Sequence, residues 1–119
     1  YRYENIGIPV NEALLADPDS EYHKIVPDLG LGGFLGSPAE NGKFKVPTLR
    51  NIALTAPYSH NGYFPPLAEM VSVHNSRDVG NSWPDPEVSD NLNTTDVGRM
   101  GLSNRDIEDI VAFLHALTD

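Results

Sequence analysis

Pro66-Leu67-Ala68-Glu69-Met70-Val71-Ser72-Val73-His74-Asn75 is the stretch on which the reading of this chain turns. Leu67, Met70, Val71 and His74 fall at i, i+3, i+4 and i+7, which is one face of an α-helix. Pro65 and Pro66 stand where a helix tolerates proline, at its start. The spacing therefore predicts a helix over 66–75 whose apolar stripe ends in an imidazole. Burying a polar ring costs free energy unless it has a partner. That partner is a backbone carbonyl, a water or a metal ion, and the stripe alone does not choose among them.

The composition sets the frame around this helix. The chain has 119 residues, 39% of them hydrophobic, enough for one domain with a modest core. Ten glycines and ten prolines predict long ordered loops between few regular elements. There is no cysteine to supply a disulfide, so a ligand, a cofactor or a neighbouring domain is expected to act as the staple. The formal net charge of −9 argues against nucleic-acid binding, which needs clustered Lys and Arg; it is compatible with a basic protein partner or serves solubility alone. No apolar run approaches the ~18 residues of a membrane span. The chain opens at Tyr1-Arg2-Tyr3 without an initiator methionine and reads as a fragment or a processed product.

On the N-terminal side, residues 1–28 read as irregular. A short extended stretch at Tyr3–Val10 is broken by Gly7 and Pro9, and a single helical turn is expected over Asn11–Ala16. Asp17, Asp19 and Glu21 alternate like the start of a calcium loop, but Tyr22 stands where an EF-hand needs glycine. Gly30-Leu31-Gly32-Gly33-Phe34-Leu35-Gly36 lacks the third glycine of a dinucleotide-binding turn. Its glycines read as tight turns near something bulky, with no helix clearly following. Thr48, after Pro47, is placed to cap a short helix through Leu54, and Pro57 and Asn61-Gly62 mark turns.

On the C-terminal side, residues 76–101 form a long polar loop with Trp83, Pro84 and Pro86, a length that points to function or to packing over another surface. The last helix is the plainest element. Ser103 and Asp106 form a capping box, and Ile107, Ile110, Val111, Leu114 and Leu117 make its apolar stripe.

Among the titratable residues, His23 and His115 read as surface groups. His60, in Tyr58-Ser59-His60-Asn61-Gly62-Tyr63, reads as a hydrogen-bonded loop residue. Arg50 offers a bidentate fork to a carboxylate or phosphate, or else makes a surface salt bridge. Met70 and Met100 are thioether donors that more commonly serve as core packing. Ser59-His60 is no hydrolase signature, since no Gly-x-Ser-x-Gly accompanies it.

The run Phe44-Lys45-Val46-Pro47-Thr48-Leu49-Arg50-Asn51-Ile52-Ala53-Leu54-Thr55-Ala56-Pro57-Tyr58-Ser59-His60-Asn61-Gly62 resembles the bacterial dihaem cytochrome c peroxidases, a set that includes the methylamine-utilisation enzymes. Asn5–Pro9, Gly30–Phe34, Trp83-Pro84 with Pro86-Glu87-Val88, and Gly101-Leu102-Ser103 through Leu114 are similar to that family's C-terminal haem domain. The resemblance implies a mainly α, loop-rich, cytochrome c-like haem domain over residues 1–119. The family attaches haem c through a Cys-x-x-Cys-His motif that this sequence lacks, so the domain reads as N-terminally incomplete, with Tyr1 shortly after the motif's position.

The resemblance also implies a site. The family's sixth iron ligand, Met in typical peroxidases and Tyr in the methylamine-utilisation branch, aligns with His74. Bis-histidine ligation would lower the reduction potential relative to His/Met. Arg50 matches an arginine placed to pair with a haem propionate, and His60 belongs to the same cofactor-binding set. Thr55 and Pro57 match positions that give backbone carbonyls to an interdomain Ca²⁺. No catalytic acid is expected in this segment. The implied function is that of the electron-transfer haem domain of a periplasmic peroxidase, passing electrons to a second haem where hydrogen peroxide is reduced. The implied partners are the protein's own N-terminal haem domain and a small donor such as a cytochrome or cupredoxin, with a homodimer also compatible. The rival readings are an oxidase of the methylamine-utilisation type acting on a protein or small substrate, and an electron-transfer module without turnover. The chain alone is expected to be inactive as a peroxidase.

Overall fold

The computed structural model describes residues 2–119, which fall into two compact units. One comprises residues 2–46 with Trp83–Asn93, the other Pro47–Ser82 with Thr94–Asp119.

The first unit holds little regular structure. Strand β1 (Tyr3–Glu4) pairs antiparallel with β2 (Phe44–Lys45), Tyr3 opposite Lys45. Helix α1 (Glu12–Ala16) is the single expected turn, and the Asn11 side chain caps it by accepting from the Leu14 N–H. A second short helix, α2 (Tyr22–Ile25), was not legible in the sequence. Tyr22 is buried there, and its phenol donates to Glu87.

The glycine run departs from expectation. It forms helix α3 (Leu31–Leu35) instead of turns alone. Gly30 (φ 56°) opens it and Gly36 (φ 64°) closes it in the left-handed conformation that glycine adopts at little cost. Gly32 is required for another reason, because a Cβ there would strike the Asn41 backbone. The bulky neighbour near the glycines is thus the protein's own backbone.

Part of the long polar loop belongs to this unit. Asn5, only 5% exposed, donates Nδ2 to the carbonyls of Val88 (2.9 Å) and Asp90 (2.8 Å). The Glu87 N–H donates to the Ile8 carbonyl, the Asn93 N–H to that of Asn5, and Asn91 Nδ2 to the carbonyls of Pro38 and Asn41. An asparagine side chain carries both donor and acceptor, so it can stand in for a ladder where no strand forms. These amides staple the irregular segments.

The second unit contains the two longer helices, α4 (Leu67–Ser76) and α5 (Asn104–Ala116), and a 3-10 turn at Ile52–Leu54. The helix expected from Thr48 is only that turn. Its N-cap is Asn51 in left-handed conformation, while Thr48 accepts from the Arg50 N–H in a local turn. In α5 the capping box is present in both directions, and Ile107, Ile110, Val111 and Leu114, with the C-cap Leu117, are the residues from 104 to 117 shielded from solvent, as the stripe predicts. Asn51 holds the far end of α5. Its N–H donates to the Leu117 carbonyl, and its Oδ1 accepts from the Asp119 N–H. The core of the unit is Tyr58, Phe64, Leu67, Val73 and Leu114, with Phe64 fully buried. Among the described residues no helix is long and apolar enough to cross a membrane.

Candidate functional site

Helix α4 begins one residue later than expected, with Pro66 as N-cap in extended conformation. Its packing centre also differs. Val73 is 1% exposed and Leu67 8%, while Met70, Val71 and His74 are only half-buried. The stripe that ends in His74 is therefore a flank of the helix, and the described residues leave it half-exposed. Met100, the other thioether, is exposed at 46%, so it is not a core residue.

The ring of His74 has one defined partner. Nδ1 lies 2.7 Å from the Met70 carbonyl oxygen, one turn back along the helix. A carbonyl can only accept, so Nδ1 carries the proton of this bond. In the neutral ring Nε2 then holds the lone pair. Ser72 and Ser76 bond backward in the same way, to the carbonyls of Ala68 and Ser72. A backbone carbonyl on one nitrogen, fixing the tautomer and turning the other toward a metal, is a common arrangement around metal-ligating histidines.

The residues fit one kind of metal site. Among the described residues no group of three or more His, Cys, Asp and Glu gathers to form a cage. A lone, half-exposed imidazole with a free lone pair suits a metal that brings its other ligands, as haem iron does.

The remaining predicted residues share the second unit with His74. Arg50 is exposed, and its guanidinium makes no ion pair or hydrogen bond among the described residues, so the salt-bridge alternative is not made there. His60 is exposed in the turn bridged by Tyr58 and Phe64. No hydrogen bond joins His74 to Arg50 or His60 among the described residues. Thr55 and Pro57 are exposed on a loop drawn tight by the Ile52 carbonyl, which accepts from the Thr55 hydroxyl (3.0 Å) and the Tyr58 phenol (2.9 Å). Gly62 (φ 69°) packs against Pro57, so the Asn61-Gly62 turn falls as the sequence predicts. His23 and His115 are exposed, as expected.

Sequence reading missed Arg77. Its side chain is 3% exposed and grips Asp78 with two bonds, Nε to Oδ1 at 2.9 Å and Nη2 to Oδ2 at 2.7 Å. The Arg77 hydrogen bonds hold the Asp78 carboxyl below its usual pKa against the opposing effect of burial, with help from the charges of Arg77 and Arg99. A signal was present. Arg77 sits three residues beyond His74 and is followed at once by an acid, a pairing that allows a cation to continue a buried face.

No family model matches the chain. Curated relatives do. The chain is 35% identical over its whole length to the methylamine utilization protein MauG of Paracoccus denitrificans, covering 34% of that protein. It is 29% identical over 98% of its length to cytochrome-c peroxidase IdrP1 of Denitromonas iodatirespirans, covering 33% of it. A variant of the diheme peroxidase BthA from Burkholderia thailandensis has the same fold, with a TM-score of 0.76 and 26% identity over 98% of this chain and 32% of that one. The chain thus spans about a third of the length of the relatives it matches. Sequence and fold agree along essentially all of its length, and the chain is homologous to about a third of MauG and the dihaem cytochrome c peroxidases.

Proposed function

We propose that this chain is a cytochrome c-like, electron-transfer haem domain of a periplasmic dihaem peroxidase-like oxidoreductase. In this reading it passes electrons to a second haem where hydrogen peroxide is reduced. The observation that carries the reading is the His74 imidazole, whose Nδ1 is tied to the Met70 carbonyl, an arrangement that in the neutral ring leaves the lone pair on Nε2.

When bound, haem supplies a one-electron iron couple. The protein's part is to set that couple and its surroundings. His74 Nε2 would be the protein's donor to the iron, and an imidazole in place of a thioether would favour the ferric state. The open Arg50 fork is suited to a haem propionate, with exposed His60 in the same cofactor-binding set. The acidic balance, 17 Asp and Glu against 8 Lys and Arg, steers a donor protein with a basic face, such as a small cytochrome or cupredoxin. Thr55 and Pro57 would give backbone carbonyls to Ca²⁺, the hard oxygen donors this ion takes. The restrained Ile52–Tyr58 loop supports that role.

The visible spectrum of the haem-loaded protein tests the assignment. His74→Ala should convert a low-spin haem to a high-spin or water-ligated one. An unchanged low-spin spectrum would remove His74 from the iron. Chelation tests the calcium site: if it leaves haem spectra and turnover as they were, Thr55 and Pro57 do not hold a functional ion.

A second reading, an oxidase acting on a protein or small substrate, is favoured by the higher identity to MauG, 35% against 29% for the peroxidase. Turnover of peroxide with a reduced donor protein as the sole electron source separates the two.

A further inference from the structure

The turn of α4 that carries His74 is held at its backbone as well as at its ring. The His74 carbonyl accepts from the Gly98 N–H at 2.6 Å, and the Asn75 carbonyl accepts from the Met100 N–H at 2.9 Å. The Asn75 side chain grips Leu102 twice, with Oδ1 accepting from its N–H (2.8 Å) and Nδ2 donating to its carbonyl (3.2 Å). In return the Asp78 N–H donates to the Gly98 carbonyl (2.9 Å), and Arg99 Nη2 to the Asp78 carbonyl (2.6 Å). Residues 98–102 thus form a strap across the C-terminal end of α4, occupying carbonyls that a helix end leaves without partners.

Gly98 cannot be replaced freely. Its φ of +101° is one that side-chain-bearing residues rarely adopt, and a Cβ there would run into the Arg77 guanidinium and the Asp78 carboxylate. The Arg77–Asp78 pair therefore packs directly over the residue that binds the His74 carbonyl.

The strap fixes the backbone of the turn on which the His74 ring stands. This strap grips His74 itself and its immediate neighbour. We propose that Gly98, Asn75 and the Arg77–Asp78 pair are positioning residues that hold the His74 ring against the haem iron. The proposal rests on the reading of His74 as an iron ligand. Outer partners of a metal-ligating histidine matter because the bond survives only while the ring stays in reach.

The test uses the haem-loaded protein carrying Gly98→Ala, Asn75→Ala or Arg77→Lys, with His74→Ala in parallel. Spin state, reduction potential and far-UV circular dichroism are measured on each. In the three strap variants the low-spin to high-spin ratio should fall roughly tenfold while helix content holds, and added imidazole should restore the low-spin form. Arg77→Lys keeps the charge and loses the two-point fork, so it separates charge from geometry. If Gly98→Ala does not fold, Asn75→Ala, which removes only a side-chain clamp, decides. If His74→Ala itself leaves the low-spin spectrum untouched, the ligand assignment fails and the positioning role falls with it. If His74→Ala turns the haem high-spin while Gly98→Ala and Asn75→Ala keep the parent spectrum and potential, the strap only ends the helix and the proposal is overturned.

Discussion

His74 Nδ1 and the Met70 carbonyl oxygen lie 2.7 Å apart, one helical turn from each other. The sequence leaves a carbonyl and a metal as competing partners for this ring. The geometry makes them compatible, because the carbonyl takes Nδ1 and leaves Nε2 its lone pair. An imidazole held in this way donates through a single defined nitrogen.

That arrangement predicts how the redox couple responds to the ligand. His74→Met in the haem-loaded protein should raise the reduction potential, since a thioether favours ferrous iron more than imidazole does. Spectroelectrochemical titration measures it. An unchanged or lowered potential would contradict axial ligation by His74.

Phe64 is fully buried and meets Tyr63 edge to face, with ring centroids 4.7 Å apart. Phe64→Ala should destabilise the protein by about 3–5 kcal/mol, the range for emptying an aromatic core site. Urea unfolding provides the measurement. A loss below about 1 kcal/mol would mean that the cavity collapses or that Phe64 is not central to the core.

The Asp78 carboxyl is held below its ordinary value of 3.8, chiefly by the hydrogen bonds from Arg77. A group whose pKa is depressed on folding stabilises above its unfolded value and loses that contribution as pH falls through its folded value. The Asp78 contribution should therefore be complete above about pH 5 and decline as pH drops below 4. Asp78→Asn should flatten this part of the acid-unfolding profile, measured by thermal melts at a series of pH values.

Ser103 caps α5 by accepting from the Asp106 N–H at 3.1 Å. Ser103→Ala should cost about 1 kcal/mol, and Ser103→Asp should recover most of it. Melting temperatures of the two variants check this order.

Asn5 is the buried staple of the first unit. Asn5→Leu leaves the carbonyls of Val88 and Asp90 without their donor, at a cost of at least about 2 kcal/mol. Limited proteolysis should then cut within residues 83–93 sooner than in the parent protein. An unaltered cleavage pattern would show that the remaining bonds to this segment suffice.

Several features were legible because their causes are local. The stripe and capping box of α5, the Asn61-Gly62 turn and the placement of His74 on a helix depend on residues within about four positions of each other. The family resemblance came from a contiguous run, 44–62, which the structure draws into a tight loop through Ile52, Thr55, Tyr58 and Gly62. Periodicity said which residues of α4 share a face. It could not say which side of that face would be sealed, and Val73 took the centre where His74 and Met70 were expected.

What only the tertiary structure decided depends on partners distant in sequence. Asn5 meets carbonyls more than eighty residues away. The residues that grip His74 and Asn75 arrive from 98–102, after the chain has passed through the other unit. The glycine run forms a helix that lies against the Asn41 backbone at Gly32, a neighbour nine residues on. By itself the sequence determined the helix, the ring on it and the family resemblance. The strap behind it and the burial of Arg77 came from contacts set by the fold that no local spacing announces.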